Sequence, residues 1–190
     1  MLVRSAAGDD SWNRLEDELW SGRITLREAL SRQAQLIRYS EPEALALLEM
    51  RARVDPAFAP FVRTAHARGA WVGVVSAGMR QVIGPALERA GVDVPVFAND
   101  VDCRADGWRL TFIDDSVMGH DKAARVRAAR AGGARTVYVG DGISDFEAAR
   151  EADVRFAKKD RALETFCRER GLECTSFSSF DEIAAVLFLA

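Results

Sequence analysis

The sequence predicts an α/β protein in which a Rossmann-like parallel sheet carries helices on both faces, with a small helical cap. From residue 55 onward, short apolar runs alternate with segments of helical periodicity. Residues 11–54 show helical spacing throughout and no strand pattern. Two of the apolar runs are followed by small or acidic residues, at Ser76 and Asp141. Alternation of this kind is typical of parallel strands, because each return to the same end of a sheet requires a crossover helix.

The helical cap is predicted over residues 11–54. Leu15 and Leu19 recur at helical spacing, which favours one buried helix face. Two further helices are expected to begin at capping-box patterns, at residues 25–28 and 40–43, where a Ser or Thr is followed three residues later by Glu. Because this segment is too short to bury a core of its own, we expect it to pack on the rest of the chain.

The α/β core is predicted over residues 55–190. It opens with a helix whose N-cap is Asp55 and whose first helical residue is Pro56. A hairpin over residues 101–113 is expected to turn at Asp106 and Gly107. The expected elements in order are helix 55–69, strand 72–75, helix 81–90, strand 94–98, the hairpin, helix 121–131, strand 136–139, helix 144–152, strand 154–157 and a mainly helical remainder ending in helix 183–189.

Composition and charge argue against several classes of partner and of binding site. The chain has 190 residues, 48% of them hydrophobic, and a net charge of −3, so neither nucleic acid nor an anionic membrane is an expected partner. No run is long enough to span a bilayer, and no signal peptide is recognised. The three cysteines are scattered, which argues against a zinc site and favours a reducing cytosol. Oligomeric state is left open.

The most informative segment is the apolar run 136–139 and the residues that follow it. Asp141 comes just past the end of this predicted strand, after Gly140, and Asp145 lies in the first turn of the next predicted helix. Two carboxylates at the carboxyl end of a buried strand and on the following turn can hold a hard cation. We therefore predict Asp141 as a metal ligand and Asp145 as a second one, directly or through water. The alternative is an ordinary tight turn in which Ser144 or Asp145 caps the helix.

A second candidate follows the predicted strand 72–75. Ser76 is succeeded by the small residues Ala77 and Gly78 and then by a predicted helix. A hydroxyl beside backbone N–H groups at a helix N-terminus can bind an anionic oxygen. We therefore predict Ser76, Ala77 and Gly78 as phosphate-binding residues. The alternative is that Ser76 serves only as the N-cap of the helix.

A third candidate lies at the start of helix 121–131. Asp121 is the expected N-cap, which places Lys122 in the first turn. A cation there opposes the helix dipole, and local misfits of this kind are expected at functional sites. The alternative is a solvated surface lysine. The neighbouring His120 is expected to be an ordinary loop histidine.

Together these residues predict a phosphate site. Ser76 would hydrogen-bond a phosphoryl oxygen, Lys122 would neutralise phosphoryl charge, and Asp141, with Asp145, would hold Mg²⁺. Phosphoryl transfer depends mainly on positioning and charge neutralisation, which these groups supply. None of them is a nucleophile or a general acid. We expect the three segments to meet in one cavity.

The order of these motifs resembles the haloacid dehalogenase superfamily of phosphohydrolases over nearly the whole chain. Ser76 matches the second family motif, Lys122 the third, and Gly140, Asp141 and Asp145 the fourth. The resemblance implies an Mg²⁺-dependent phosphomonoester hydrolase that works through a phosphoaspartyl intermediate. It also implies that the helical cap closes over the site and selects a small phosphorylated metabolite.

The first motif of that family, a strand ending in D-x-D-x-[TV], is absent from the sequence. Asp9 and Asp10 are adjacent and follow no strand, so we identify no nucleophile. In the family fold the missing strand lies between those that lead to Ser76 and Asp141, and its absence would leave two inner edges unpaired. Our leading hypothesis is that the chain is N-terminally incomplete. The alternatives are a poorly folding truncation and a non-catalytic phosphate- or metal-binding domain or inactive remnant.

The predicted order of helical cap, Ser76 segment and closing helix resembles the phosphoserine phosphatase-like group, closest to the branch of the methionine-salvage phosphatase. Members of that branch carry a Cys/His-rich stretch before the motif lysine, and residues 112–119 replace it here. The substrate therefore stays open between a methylthiopentenyl phosphate, phosphoserine and another small phosphorylated metabolite. As written, the 190-residue chain is expected not to hydrolyse p-nitrophenyl phosphate with Mg²⁺.

Overall fold

The computed structural model of the chain describes residues 11–51 and 53–189. In chain order its elements are α1 Ser11–Trp20, α2 Leu26–Gln35, α3 Glu41–Arg51, α4 Phe58–Ala67, β1 Val74–Met79, α5 Arg80–Arg89, β2 Val96–Asp102, β3 Arg109–Thr111, α6 Lys122–Ala131, β4 Val137–Gly140, a 3₁₀ turn Ile143–Asp145, α7 Phe146–Glu151, β5 Val154–Lys158, α8 Ala162–Arg170, β6 Thr175–Phe177 and α9 Phe180–Phe188. The mixture of helices with parallel strand pairs confirms the predicted α/β class.

The chain divides into two compact units, each built from two separate chain segments. The first unit contains the described residues up to Val54 together with Val72–His120. The second contains Asp55–Trp71 and the described residues from Asp121 onward. The predicted boundary after residue 54 coincides with a boundary between units. The assignment of residues 11–54 as a cap and 55–190 as a core stays a prediction.

Residues 11–51 form three helices joined by short turns and contain no strand, as their periodicity predicts. The capping box at the start of α2 is formed, because the Thr25 side chain accepts from the N–H of Glu28 while the Glu28 carboxylate accepts from the N–H of Thr25 at 2.7 Å. The segment shares its core with strands β2 and β3. Ile37 and Trp108 are both almost fully buried in this shared cluster, and the Trp108 indole donates to the Tyr39 carbonyl at 2.8 Å.

The first unit holds a sheet in the order β1-β2-β3. Strand β2 pairs parallel with β1 and antiparallel with β3, so the predicted hairpin is present. Two predicted strand ends are wrong. The strand predicted over 94–98 and the first arm of the hairpin form one continuous strand, and β1 runs four residues past its predicted end at Val75.

The second unit holds a parallel sheet in the order β4-β5-β6. Its core includes Tyr138 and Leu163, with small alanines between the sheet and helices α7 and α8. Strand β6 lies in the C-terminal part that the sequence predicted to be mainly helical. It has three residues, two of them exposed, which is too short to show an alternating pattern.

Among the described strands, the predicted parallel sheet is divided into two three-stranded sheets. Within this part of the chain, β1 pairs with β2 alone and β4 pairs with β5 alone. Each of these two strands is therefore an edge strand of its own described sheet. None of the described helices has the length and apolar character that a bilayer span requires.

Candidate active site

Ser76 lies inside β1, in an irregular stretch of the strand. Val75 and Met79 are paired with residues of β2 that are only two apart, so residues 76–78 face a single residue of β2. Such a bulge leaves backbone groups outside the regular ladder. The hydroxyl oxygen of Ser76 accepts a hydrogen bond from the N–H of Gly78 at 3.0 Å. The three predicted phosphate-binding residues therefore form one bulge, which we call the Ser76 bulge.

The alternative that Ser76 caps the following helix is wrong. Helix α5 begins at Arg80, and its N-cap position is Met79, which makes no side-chain cap hydrogen bond. The prediction that Ser76 follows the strand directly was also wrong, because small residues were taken to end a strand that in fact continues through them. The extra residues are accommodated by the bulge, which sequence periodicity does not reveal.

Asn99, in the neighbouring strand β2, forms a hydrogen bond with the Ser76 bulge. Its side chain is fully buried. The amide nitrogen donates to the carbonyl oxygen of Ala77 at 2.8 Å and to that of Gly119 at 3.0 Å, while the amide oxygen accepts from the N–H of Ile113 at 3.0 Å. Asn99 was not predicted from the sequence as a site residue. The signal that could have found it is an amide side chain within an apolar strand, since Asn is depleted in strands and seldom buried.

His120 contacts the same bulge. It is 3% exposed, and its Nδ1 atom lies 3.0 Å from the carbonyl oxygen of Ser76. Because a carbonyl oxygen only accepts hydrogen bonds, Nδ1 must carry a proton. Nε2 lies 3.8 Å from a carboxylate oxygen of Asp114. His120 lies in the loop before α6, as expected, but it is buried and contacts a backbone group of the bulge.

In the second unit, Asp145 is the centre of a dense hydrogen-bonded group. Its Oδ1 atom accepts from Lys122 Nζ at 2.6 Å and from the Tyr138 hydroxyl at 2.7 Å. Its Oδ2 atom accepts from the N–H groups of Asp141 at 2.9 Å and Gly142 at 2.8 Å. A carboxylate has about four lone-pair positions, so these four donors occupy its accepting capacity.

This geometry does not support Asp145 as a direct metal ligand. A cation at either oxygen would have to displace one of the four hydrogen bonds. The carboxylate instead holds the turn after β4 through two backbone N–H groups, and it makes no side-chain cap hydrogen bond to α7. Asp145 therefore positions the turn, and its role at the metal, directly or through water, stays a prediction.

Lys122 is buried, with 8% of its surface exposed, so the surface-lysine alternative is wrong. It is the first residue of α6, and Asp121 is the N-cap, whose carboxylate accepts from the N–H of Ala124 at 3.0 Å. Both placements follow the prediction. The contact with Asp145 explains how a cation is accommodated at a helix N-terminus, because the paired carboxylate offsets the unfavourable dipole.

The electrostatic environment favours an ionised Asp145. Burial by itself acts to raise the pKa of this carboxyl group, but the positive charge of Lys122 and the hydrogen bonds from Lys122, Gly142 and Tyr138 outweigh burial and hold the pKa below its ordinary value. Burial, the negative charge of Asp145 and their hydrogen bond raise the pKa of the Tyr138 hydroxyl. Tyr138 therefore stays protonated and continues to donate.

Asp141 follows β4 directly, as predicted, and its side chain is exposed. Its carbonyl oxygen accepts from the N–H of Leu163 at 3.0 Å. The preceding Gly140 lies against Asp145 so closely that a Cβ atom there would come within 2.8 Å of the Asp145 carboxylate. The turn therefore directs one carboxylate to solvent at the carboxyl end of a parallel strand, where ligands bind in open α/β sheets.

The residues present fit Mg²⁺ as a partial ligand set. No group of three or more His, Cys, Asp or Glu side chains suited to a metal occurs in the part of the chain that the structure describes. Mg²⁺ commonly keeps several waters and takes only one or two carboxylates together with substrate phosphate oxygens. Asp141 supplies one such carboxylate.

The structure brings Lys122, Asp145 and the backbone of Asp141 together in the second unit. Ser76 lies in the first unit with Asn99 and His120. The convergence of Ser76 with Lys122 and Asp141 around one phosphate stays a prediction.

Comparison with known proteins identifies a matching family and several related proteins. Residues 6–150 match the family described as haloacid dehalogenase-like hydrolase. Pdp3-interacting factor 1 of Schizosaccharomyces pombe is 30% identical over 89% of this chain and 78% of its own length. Polyol phosphate phosphatase PYP1 of Saccharomyces cerevisiae is 32% identical over 85% and 73%. A 2-hydroxy-3-keto-5-methylthiopentenyl-1-phosphate phosphatase of Exiguobacterium sp. is 25% identical over 93% and 84%.

Solved structures share the fold. A substrate-bound phosphoserine phosphatase complex superimposes with a TM-score of 0.70 at 19% identity, covering 97% of this chain and 88% of that one. A haloacid dehalogenase family hydrolase from Salmonella enterica serovar Typhi gives a TM-score of 0.77 at 16% identity, covering 98% of this chain and 64% of the other.

Proposed function

Since this chain belongs to the haloacid dehalogenase-like hydrolase family and is a phosphatase, we propose that it hydrolyses phosphomonoesters of a small metabolite with the help of Mg²⁺. The observation that carries the proposal is the turn after β4, where a buried Lys122–Asp145 pair holds the backbone beside an exposed Asp141 carboxylate. A fixed cation next to a carboxylate suited to a divalent metal is the arrangement that phosphoryl transfer requires.

Lys122 has the role of neutralising phosphoryl charge. An ammonium carries three N–H groups, and its contact with Asp145 fixes its position at 2.6 Å. The same nitrogen can donate to phosphoryl oxygens while it remains paired. Because the group is buried, its charge acts at lower effective dielectric than it would at the surface.

Asp141 has the role of holding Mg²⁺. A bound Mg²⁺ would supply Lewis-acid polarisation of the phosphoryl oxygens. The main-chain N–H of Asp141 is held by Asp145 at 2.9 Å, so the position of the ligating carboxylate depends on the buried pair. Asp145 acts in this proposal through the turn and not as a first ligand.

Ser76 and Ala77 have the role of binding the other phosphoryl oxygens from the Ser76 bulge, and Gly78 orients the Ser76 hydroxyl through its N–H. The hydroxyl oxygen of Ser76 already accepts from the N–H of Gly78, so its proton is available to donate to an anion. We also propose that the hydrolysis proceeds through a phosphoaspartyl intermediate, as the resemblance to the family implies. The residues identified here bind and orient the phosphate, and none of them is the attacking nucleophile.

A polyol phosphate is the first substrate class to test, because one of the relatives at 30% identity or above is named as a polyol phosphate phosphatase. The methylthiopentenyl phosphate of the more distant relative and phosphoserine are the second and third. A cytosolic location and the lack of nucleic-acid and membrane partners stay predictions from composition.

The test measures release of inorganic phosphate by the 190-residue chain from these three substrate classes. We expect release to stop when EDTA removes Mg²⁺. We expect Asp141→Asn and Lys122→Met each to lower kcat/KM by ~10²–10³-fold, because each removes charge stabilisation of the transferring group. The same assay on the 190-residue chain tests the prediction that it does not turn over p-nitrophenyl phosphate.

The matched controls are Asp160→Asn and Lys159→Met, which remove the same charges from exposed positions. Both should retain activity within about twofold, since exposed substitutions rarely matter. Asp160 has a left-handed backbone with φ of 58°, which Asn accepts. Activity that persists in EDTA, or that survives Asp141→Asn, would contradict the metal role. No release from any of the three classes would contradict the small-metabolite proposal.

A further inference from the structure

The Ser76 bulge takes two carbonyl groups out of the strand ladder. Three residues, 76–78, face one residue of β2, so their backbone groups cannot all pair across the strands. Buried backbone polar groups need partners elsewhere. The carbonyl of Ser76 lies 3.0 Å from His120 Nδ1, and the carbonyl of Ala77 accepts from Asn99 Nδ2 at 2.8 Å. Two buried side chains thus replace the missing ladder partners.

These contacts also set the direction of the N–H groups in the bulge. In a planar trans peptide, the carbonyl and the following N–H point in opposite directions. Because the Ser76 carbonyl points toward His120, the N–H of Ala77 points away from it. The Ala77 carbonyl points toward Asn99, so the N–H of Gly78 points away from Asn99, and it donates to the Ser76 hydroxyl oxygen.

We propose that Asn99 and His120 are positioning residues that hold the Ser76 bulge in its phosphate-binding conformation. The inference rests on the proposed function, which assigns residues 76–78 to the phosphate. Neither side chain is proposed to touch the substrate. Each acts by fixing a carbonyl on the buried side of the bulge, which leaves the N–H of Ala77 and the Ser76 hydroxyl oriented for an anion, while the N–H of Gly78 holds the hydroxyl oxygen.

The orientation of the Asn99 amide follows from its partners. Two carbonyl oxygens can only accept and the N–H of Ile113 can only donate, so the nitrogen must face the carbonyls of Ala77 and Gly119. All three of these bonds involve backbone groups. Asn99 therefore ties the bulge to the loop that leads to His120, and the two positioning residues act on one connected piece of backbone.

The loop is anchored in turn to the helical segment. The Arg27 side chain donates to the carbonyl of Asp114 at 2.5 Å, and its guanidinium lies 4.1 Å from the centre of the Phe112 ring. The backbone N–H of Arg27 donates to the carbonyl of Val117 at 2.9 Å. Since Asp114 lies beside His120 Nε2, the imidazole is enclosed by fixed neighbours, as a positioning role requires.

The decisive experiment compares two substitutions at His120 by titrating this chain with inorganic phosphate in Mg²⁺ and measuring heat. His120→Asn keeps an N–H donor at the place of Nδ1, whereas His120→Gln carries its amide at the place of Nε2. We expect His120→Asn to bind phosphate within ~3-fold of the wild type and His120→Gln to bind ~10-fold or more weakly. If His120 only filled space, the two variants would not differ in phosphate affinity in this order.

Asn99→Asp provides an independent test at the second position. The substitution keeps the shape and the acceptor for Ile113 but replaces both N–H donors with a carboxylate oxygen. We expect phosphate binding to weaken by ~10-fold or more. Thermal unfolding is measured for every variant, and if Asn99→Asp does not fold, the two His120 variants decide the question.

Two outcomes separate the inference from the proposed function. If the folded variants all bind phosphate as the wild type does, Asn99 and His120 have only a structural role and the inference is overturned. If the wild type itself binds no phosphate in the presence of Mg²⁺, the assignment of residues 76–78 fails, and the positioning inference fails with it.

Discussion

At the residue scale, the Asp145 carboxylate shows how a buried charge is retained. It is 4% exposed, and an unpaired carboxylate in such a place would be strongly disfavoured. A full cation at 2.6 Å and three further donors compensate for the lost hydration. Pairs of this kind often contribute little net stability against an apolar replacement, yet breaking one partner is costly because the other charge is left buried.

Asp145→Asn should therefore destabilise the protein strongly. The amide keeps the shape of the side chain, but it removes the negative charge beside the buried Lys122. It also places its own N–H groups against partners that are themselves hydrogen-bond donors. We expect a loss of ~3–5 kcal/mol in the free energy of unfolding, measured by urea denaturation. The exposed Asp160→Asn is the control, with an expected change within about 0.5 kcal/mol. A loss below about 1 kcal/mol for Asp145→Asn would show that the pair is not an essential contact.

The lowered pKa of Asp145 also predicts a pH dependence. The group binds its proton less readily in the folded protein than at the ordinary value of 3.8. Its stabilising contribution is therefore complete above that value and is lost as pH falls toward the folded pKa. We expect the difference in unfolding free energy between wild type and Asp145→Asn to shrink below about pH 4. A difference that stays constant down to pH 2.5 would contradict this assignment.

The placements of Asp141 and Lys122 were predictable from the sequence, but the partners of these residues were not. Asp141 after a strand and Lys122 at a helix start follow from local patterns, and both positions are as predicted. The burial of Lys122 and the bonding of Asp145 depend on a contact between residues 23 apart in the chain. A periodicity pattern spans one element, so it carries no information about such a contact.

At the element scale, the turn after β4 depends on the absence of a side chain at Gly140. A Cβ atom at this position would lie 2.8 Å from both Cγ and Oδ2 of Asp145. These atoms are held by four hydrogen bonds and cannot easily move. Close packing, and not a left-handed backbone, is therefore what the glycine provides.

Gly140→Ala should consequently displace Asp145 and destabilise the protein by ~1–3 kcal/mol, as overpacking typically does. Thermal or urea unfolding measures the effect. The matched control is Gly84→Ala in helix α5, where a Cβ atom would meet nothing within 4 Å. That substitution should change stability by less than ~1 kcal/mol, since the preference of Ala for a helix interior is offset by crowding of its Cβ atom against Pro85. Equal effects of the two substitutions would argue against crowding at Gly140.

The predicted element boundaries were wrong where tertiary contacts, and not local sequence patterns, determine where an element ends. The small residues 76–78 favoured a strand end at Val75, yet β1 continues to Met79 as a bulge. Asn99 and His120 supply the hydrogen bonds that the bulge loses. Strand β6 was missed because three residues on a sheet edge leave too short a pattern.

At the scale of the whole molecule, the described residues of the helical segment share the core of the first unit. Ile37 and Ala44 of this segment pack with Val101 and Trp108 of the β2–β3 hairpin. This agrees with the expectation that a segment of this length cannot bury a core of its own. The second unit has its own cluster, in which small alanines allow α7 to pack closely on the sheet.

The chain passes between the units more than once, because residues 55–71 belong with the C-terminal part and residues 72–120 with the N-terminal part. The boundary predicted after residue 54 is one of the boundaries between the units, and the other two depend on tertiary contacts. Helix α4 packs against α9, where the Phe58 and Phe180 rings lie 4.6 Å apart. Their separation along the chain explains why local patterns did not indicate the pairing.

By itself, the sequence determined the α/β class, the order of most elements and the positions of Lys122 and Asp141, because periodicity, capping and turn chemistry act over a few neighbouring residues. Only the tertiary structure decided that Lys122 is buried, that Asp145 is fully hydrogen-bonded, and that Asn99 and His120 hold the Ser76 bulge. The contact between His120 and Ser76 joins residues 44 apart. Such contacts arise from packing of the folded chain, where buried polar groups must find partners wherever the fold places them.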